Sequence, residues 1–236
     1  MKRQIVVSCL KLLALFASSM LVACKPNSTS EGEKSPEIQE ISSAPTTDAF
    51  LILPGDYAQG TAVTDLELRF GQMNVHRENA EDPTVILFPN DPTRRAIVTF
   101  YEASALDELS RITVSEPSSL WRGKLGVHVG MTFSKLREIN GKPFMLTGFD
   151  AQHRAMVIDS WSPAIGDDAT LGALDVTEGD RLYFEVELGP IDTSKLPTKL
   201  PDEYQLSSDD PRLLPLGELI QVTAITARSS LDDEWE

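Results

Sequence analysis

Apolar positions follow helical and strand periods in turn along this chain. Phe50-Leu51-Ile52-Leu53 is a short apolar run ended by the turn signal Pro54-Gly55. Between Gly60 and Gly71, Val63, Leu66 and Phe70 fall at i, i+3 and i+7, which predicts a short helix. Thr64 and Glu67 have capping-box spacing, and Gly71 stands where the helix should stop. Two extended runs follow, Val85-Ile86-Leu87-Phe88 and Ala96 to Tyr101, joined through Pro89-Asn90-Asp91-Pro92 as in a hairpin. A shift of seventy residues lays Gly60 on Gly130, Thr64 on Ser134, Leu66 on Leu136 and Gly71 on Gly141. A second hairpin then runs from Phe144 to Phe149 and from Ala155 to Trp161, turning around Asp150 to Arg154. The economical reading is a tandem helix-plus-hairpin repeat with units near 55–103 and 122–161; coincidence is the competing account.

Two further strands are expected within 180–227. Leu182, Phe184, Val186 and Leu188 alternate with Tyr183, Glu185 and Glu187, and Glu218 to Ala227 supplies the second strand. Between them Gly189 to Gly217 is a proline-rich excursion, either a plain surface loop or a recognition loop. The expected class is α+β: a mostly antiparallel sheet with short helices in one globular domain, 49–236. The acidic end, Asp232 to Glu236, should fray.

Before residue 49 the pattern is different. Met1-Lys2-Arg3 precedes an apolar stretch too short to span a bilayer comfortably, and small residues follow it, as in a secretory leader over 1–23. Leu21-Val22-Ala23-Cys24 resembles the lipobox of bacterial lipoproteins, which implies cleavage before Cys24 and lipid attachment to its thiol. Two or three acyl chains anchor durably where one does not. Lys25 is not the aspartate that implies inner-membrane retention in enteric bacteria, so the expected location is the cell envelope, on the outer membrane facing the periplasm. Residues 24–48 are polar and lack an apolar period, which predicts a disordered tether spanning roughly 25 to 30 Å on average.

Two numbers narrow the functional classes. Cys9 and Cys24 are the only cysteines, one lost with the leader and one taken by lipid, so the mature chain is expected to hold no disulfide. The net charge is −15, and removal of Lys2, Arg3 and Lys11 makes the mature chain more acidic still. Such a surface repels nucleic acid, which is excluded as a partner.

Gly126-Val127-His128-Val129-Gly130-Met131-Thr132, then Leu136 and Asn140-Gly141-Lys142-Pro143, resembles the pattern of small outer-membrane lipoproteins of the SmpA/BamE type. The β-lactamase inhibitor proteins carry a similar helix-then-strands unit in tandem. The resemblance implies a non-enzymatic, protein-binding role on an open sheet face. It does not carry a partner over, because the inhibitors have disulfides and the assembly lipoproteins have one unit. In physical terms, Thr132 caps the second helix and Gly141-Lys142-Pro143 ends it.

Catalytic chemistry is thin. His76, His128 and His153 are dispersed, and no G-x-S-x-G or H-E-x-x-H occurs. His128 reads as a solvent-facing strand residue, and a triad of His153, Asp159 and Ser160 fails because a strand sends neighbours to opposite faces. Asp167, Asp168, Asp175 and Asp180 lack the order of a calcium loop. No metal and no cofactor are therefore expected. The candidate partner-binding residues are aromatic: Trp121 first, then Tyr101, Phe149 and Trp161. The leading functional reading is a lipid-anchored envelope protein that binds another protein as inhibitor, assembly factor or scaffold. The alternatives are an envelope hydrolase acting through carboxylates not placed by sequence, and a periplasmic small-ligand or peptide sensor.

Overall fold

The computed structural model describes residues 51–158, 161–162, 172–175 and 182–229. The chain divides at Ser42–Ser43, and every described residue lies in the second unit. The leader, Cys24, the tether and the acidic end lie outside the described residues.

The first run of elements is β1 (Ile52–Leu53), α1 (Val63–Phe70), β2 (Val75–His76), β3 (Thr84–Leu87), β4 (Ala96–Phe100) and β5 (Leu109–Val114). The second is β6 (Arg122–Gly123), α2 (Phe133–Asn140), β7 (Met145–Leu146), β8 (Ala155–Met156), β9 (Tyr183–Pro190), β10 (Leu206–Ser207) and β11 (Ile220–Arg228). Seven of the strands form one sheet in the order β2-β3-β4-β5-β11-β9-β8, with every neighbouring pair antiparallel. β1 pairs with β6 in parallel, and β10 pairs with β7 antiparallel. The fold is α+β.

Alternation decides which face is buried. Phe184, Val186 and Leu188 of β9, Val222, Ile225 and Ala227 of β11, Ile112 and Val114 of β5, and Val98 of β4 belong to one apolar core. Leu66 and Phe70 of α1 and Phe133 and Leu136 of α2 belong to the same core, so both helices cover one face of the sheet. Among the described residues no helix is long and apolar enough to cross a membrane.

The second helix is capped as the sequence implies: Thr132 Oγ1 accepts from Lys135 N–H at 3.3 Å, and Gly141 ends it in the left-handed region at φ +69°. The first helix departs from expectation. It begins at Val63, and Asp65, not Thr64, reaches back to accept from Ala62 N–H at 2.9 Å. Once the helix starts at Val63, Thr64 lies inside its first turn and cannot be the cap. His128 also departs: it lies outside any strand, half-buried, with Nδ1 3.0 Å from the Gly126 carbonyl. Trp161 is no strand residue either; it adopts φ +49° beyond the end of β8.

The element bounds have a regular spacing. Adding seventy to the residue numbers of β1, α1 and β2 gives those of β6, α2 and β7, and the β1–β6 ladder joins Ile52 to Arg122 and Leu53 to Gly123. In the sheet, β5 and β11 lie centrally, flanked by β4 and β9 and then by β3 and β8.

Candidate protein-binding surfaces

The strand side chains turned away from the core form continuous rows. One row, read across the register, is His76, Ile86, Ile97, Thr113, Thr226 and Glu185. The next is Thr84, Thr99, Arg111, Arg228 and Tyr183. The Thr113 and Thr226 hydroxyls meet at 3.1 Å where β5 and β11 join. Towards β8 the face becomes charged: Arg228 pairs with Glu185 and its guanidinium lies 5.6 Å from the Tyr183 ring centre, while Glu187 accepts from Thr223 Oγ1 at 2.8 Å. Towards β2 it is apolar, with Ile97 41 % exposed. Apolar, aromatic, threonine and paired charged groups on one sheet face give a surface suited to another protein.

The aromatic candidates do not supply that surface. Trp121 is fully buried; its indole N–H donates to the Arg94 carbonyl at 2.7 Å, and its ring packs 6.2 Å from Tyr57 and 6.3 Å from Phe70. Trp161 is buried too, stacked on Phe184 at 6.0 Å with its N–H given to the Phe184 carbonyl at 3.0 Å. Phe149 is buried. Each large apolar ring gains more from the core than from solvent, and both indoles find a carbonyl there. Tyr101 is half-buried, its backbone N–H bonded to Glu108 O across the β4–β5 connection. Cys24, Asp159, Ser160, Asp167, Asp168 and Asp180 lie outside the described residues.

The proline-rich excursion between β9 and β11 folds back on the β7–β8 hairpin. Phe149 N–H donates to Pro201 O at 2.8 Å, Leu206 and Ser207 pair with β7, and Phe144 N–H donates to Ser208 Oγ at 2.9 Å. A side chain at Gly148 would overlap the Asp202 backbone, so glycine allows this close approach. Arg212 then braces the loop, donating to Glu203 Oε1 at 2.6 Å and to both Asp210 oxygens at 3.0 and 2.8 Å. Lys199 pairs with Asp202 at 3.1 Å. Tyr204 projects from this braced segment with its ring 73 % exposed.

Electrostatics follow the pairing. The Arg212 guanidinium holds the Asp210 carboxyl down to about 2 and lowers Glu203, and Lys199 lowers Asp202. Asp91 also falls to about 2, through the Thr93 hydroxyl and then Arg94. Burial pushes the Tyr57 hydroxyl up, against the pull of Arg69. Among the described residues no group of three or more His, Cys, Asp and Glu side chains is placed to hold a metal ion. No protein-family model matches the chain, and no curated protein and no solved structure matches it either.

Sequence reasoning missed Ile97 and Tyr204. Ala96 to Val98 is apolar at every position, so alternation cannot say which residue faces out. Tyr204 carried a usable signal, as the one aromatic in the proline-rich excursion.

Proposed function

We propose that the protein is a lipid-anchored component of the bacterial cell envelope, attached through Cys24 and placed on the outer membrane facing the periplasm. It binds another protein as inhibitor, assembly factor or scaffold and performs no chemistry of its own. The observation that carries this reading is the sheet face that neither α1 nor α2 covers, where Ile97, Thr113, Arg111, Arg228 and Tyr183 stand in adjoining rows. Among the described residues, the carboxylates with a shifted pKa, Asp91, Asp150, Asp192, Asp202, Glu203 and Asp210, all shift downward, so none of these is poised as a general acid. The candidate binding residues accordingly pass from Trp121, Phe149 and Trp161 to this face. We read the chain as a tandem repeat, supported by the seventy-residue spacing of the element bounds and by the matched strand order on either side of the β5–β11 pair.

The test is photo-crosslinking in cells, with a benzophenone residue at Ile97 on the sheet face or at Leu68, 87 % exposed on α1. A discrete adduct from position 97, missing at 68 and lost on Thr113→Arg, supports the reading. Abundant folded protein with no adduct from 97, or with the same adducts from both positions, overturns it. Cys24→Ser tests the anchor separately and should move the protein from the membrane pellet to the soluble fraction.

A further inference from the structure

Resting on the protein-binding reading above, we propose that Tyr204 is the anchor by which the braced segment 197–212 grips a partner protein, its ring entering an apolar pocket with a cationic rim.

The geometry sets an exposed ring on a tied-down backbone. Tyr204 is exposed, yet the chain on either side is tied down: Pro201 O to Phe149 N–H before it, Leu206 and Ser207 to β7 after it, and Glu203 to Arg212 beside it. Gln205 is held at φ +66°, a left-handed conformation that a side chain larger than glycine seldom adopts, and this turns the chain just after the ring. Leu206 is buried and secures the far end. A tyrosine shown on a pre-ordered loop loses little further entropy when it is buried, which is how a single aromatic residue becomes a dominant contributor to binding.

The surroundings define the partner's chemistry. Between 199 and 212, four carboxylates (Asp202, Glu203, Asp209 and Asp210) stand against two cations, Lys199 and Arg212. The segment is therefore negative, and a complementary surface carries lysine or arginine around the ring's pocket. Next to the segment lies a recess of about 350 Å³ whose lining is half charged, Lys199, Asp202, Glu203 and Arg212, and half apolar, which would take a partner side chain with a polar end. Leu68 and Met73 are more exposed than Tyr204 but lie on α1 and the turn after it, outside this braced and charged setting.

The experiment places the benzophenone residue at 204 in the full lipid-anchored chain, beside the same probe at 97, and competes each with unlabelled purified protein. Tyr204→Ala, Tyr204→Phe and Arg212→Ala are compared for recovery of the crosslinked protein through the probe at 97, with thermal midpoints confirming that each variant folds. We expect a competable adduct from 204 that weakens as salt rises. Tyr204→Ala should lower recovery about tenfold or more and Tyr204→Phe by less than about threefold, with Arg212→Ala between them. An adduct from 97 with none from 204, or full recovery by Tyr204→Ala, overturns the anchor and leaves the sheet-face reading standing. Silence from both positions overturns the sheet-face reading and the anchor together.

Discussion

The stretches 52–114 and 122–228 open on the same order of elements, strand, helix and strand, and differ in how they connect the strands that follow. In the first half β3 reaches β4 through residues 88–95, and β4 reaches β5 through 101–108. In the second half the corresponding stretches are 157–182 and 191–219. The short connections show that the frame itself needs only turns. The longer ones are extra chain, and a long surface connection costs little more entropy than a short one once its ends are held. What the second half gains is the braced segment with Tyr204, held by Leu200, Leu206 and Leu213 in the core together with local ion pairs and backbone ties.

The cores of the two halves should be equally unforgiving. Trp121 anchors the aromatic cluster of the first half and Trp161 that of the second, so Trp121→Ala and Trp161→Ala should each cost about 3–5 kcal/mol in chemical denaturation. A loss near zero at either position would show that its cluster is not part of the cooperative core.

Close approaches that glycine permits come next, and two of them lie in the second half. Gly123→Ala drives a methyl group into the Phe184 ring and Gly148→Ala drives one into the Asp202 backbone; each should cost about 1–3 kcal/mol. Only Gly148→Ala should also speed amide exchange around 199–205, since only it pushes the excursion off the hairpin.

The asparagines near the helix C-termini, Asn140 closing α2 and Asn74 four residues beyond α1, give a further test. Buried Asn140 donates to Lys142 O at 2.9 Å and Trp161 O at 3.0 Å and accepts from Leu174 N–H at 3.2 Å. Asn74 makes one bond, to Phe70 O at 2.8 Å, in a half-exposed turn. Asn140→Ala should cost about 1–3 kcal/mol and Asn74→Ala about 1 kcal/mol or less, read from paired melts.

Acid should produce the smallest effect. Asp210 is depressed to about 2 by Arg212, and Asp91 to about 2 by Thr93 and Arg94. A depressed carboxyl contributes stability that is present above its unfolded pKa and lost as the pH falls through its folded one, so both contributions should fade from about pH 4 to about 2. Carboxyl chemical shifts followed by NMR should give midpoints near 2 for both, and Arg212→Ala should raise Asp210 only part of the way to the ordinary carboxylate range, because the backbone N–H at 212 still donates to it, while leaving Asp91 unmoved.

Much of the frame was legible in the sequence, and for physical reasons. The alternation in 182–188 places the buried residues of β9 correctly, the turn chemistry of 89–92 and 150–154 marks both hairpins, and Thr132 and Gly141 bound the second helix. β5 was not singled out, although Arg111 and Thr113 alternate with Ser110, Ile112 and Val114, and β10 is too short to show a period. Trp121 misled because a loop position need not be an exposed one; its indole N–H donates to the carbonyl of Arg94, twenty-seven residues away, a partner no local pattern reveals. Tyr204 could not be ranked because its exposure depends on Arg212, Asp210 and Phe149 holding the backbone beneath it.

Hydroxyl-radical footprinting of the protein in isolated cell envelopes, set against the purified protein, tests the central claim most directly. The account predicts that Ile97, Met156 and Tyr204 lose reactivity in the envelope while Leu68 and Met73 keep it. Equal reactivity in both settings, or protection confined to Leu68 and Met73, would contradict a partner on the sheet face and the braced loop.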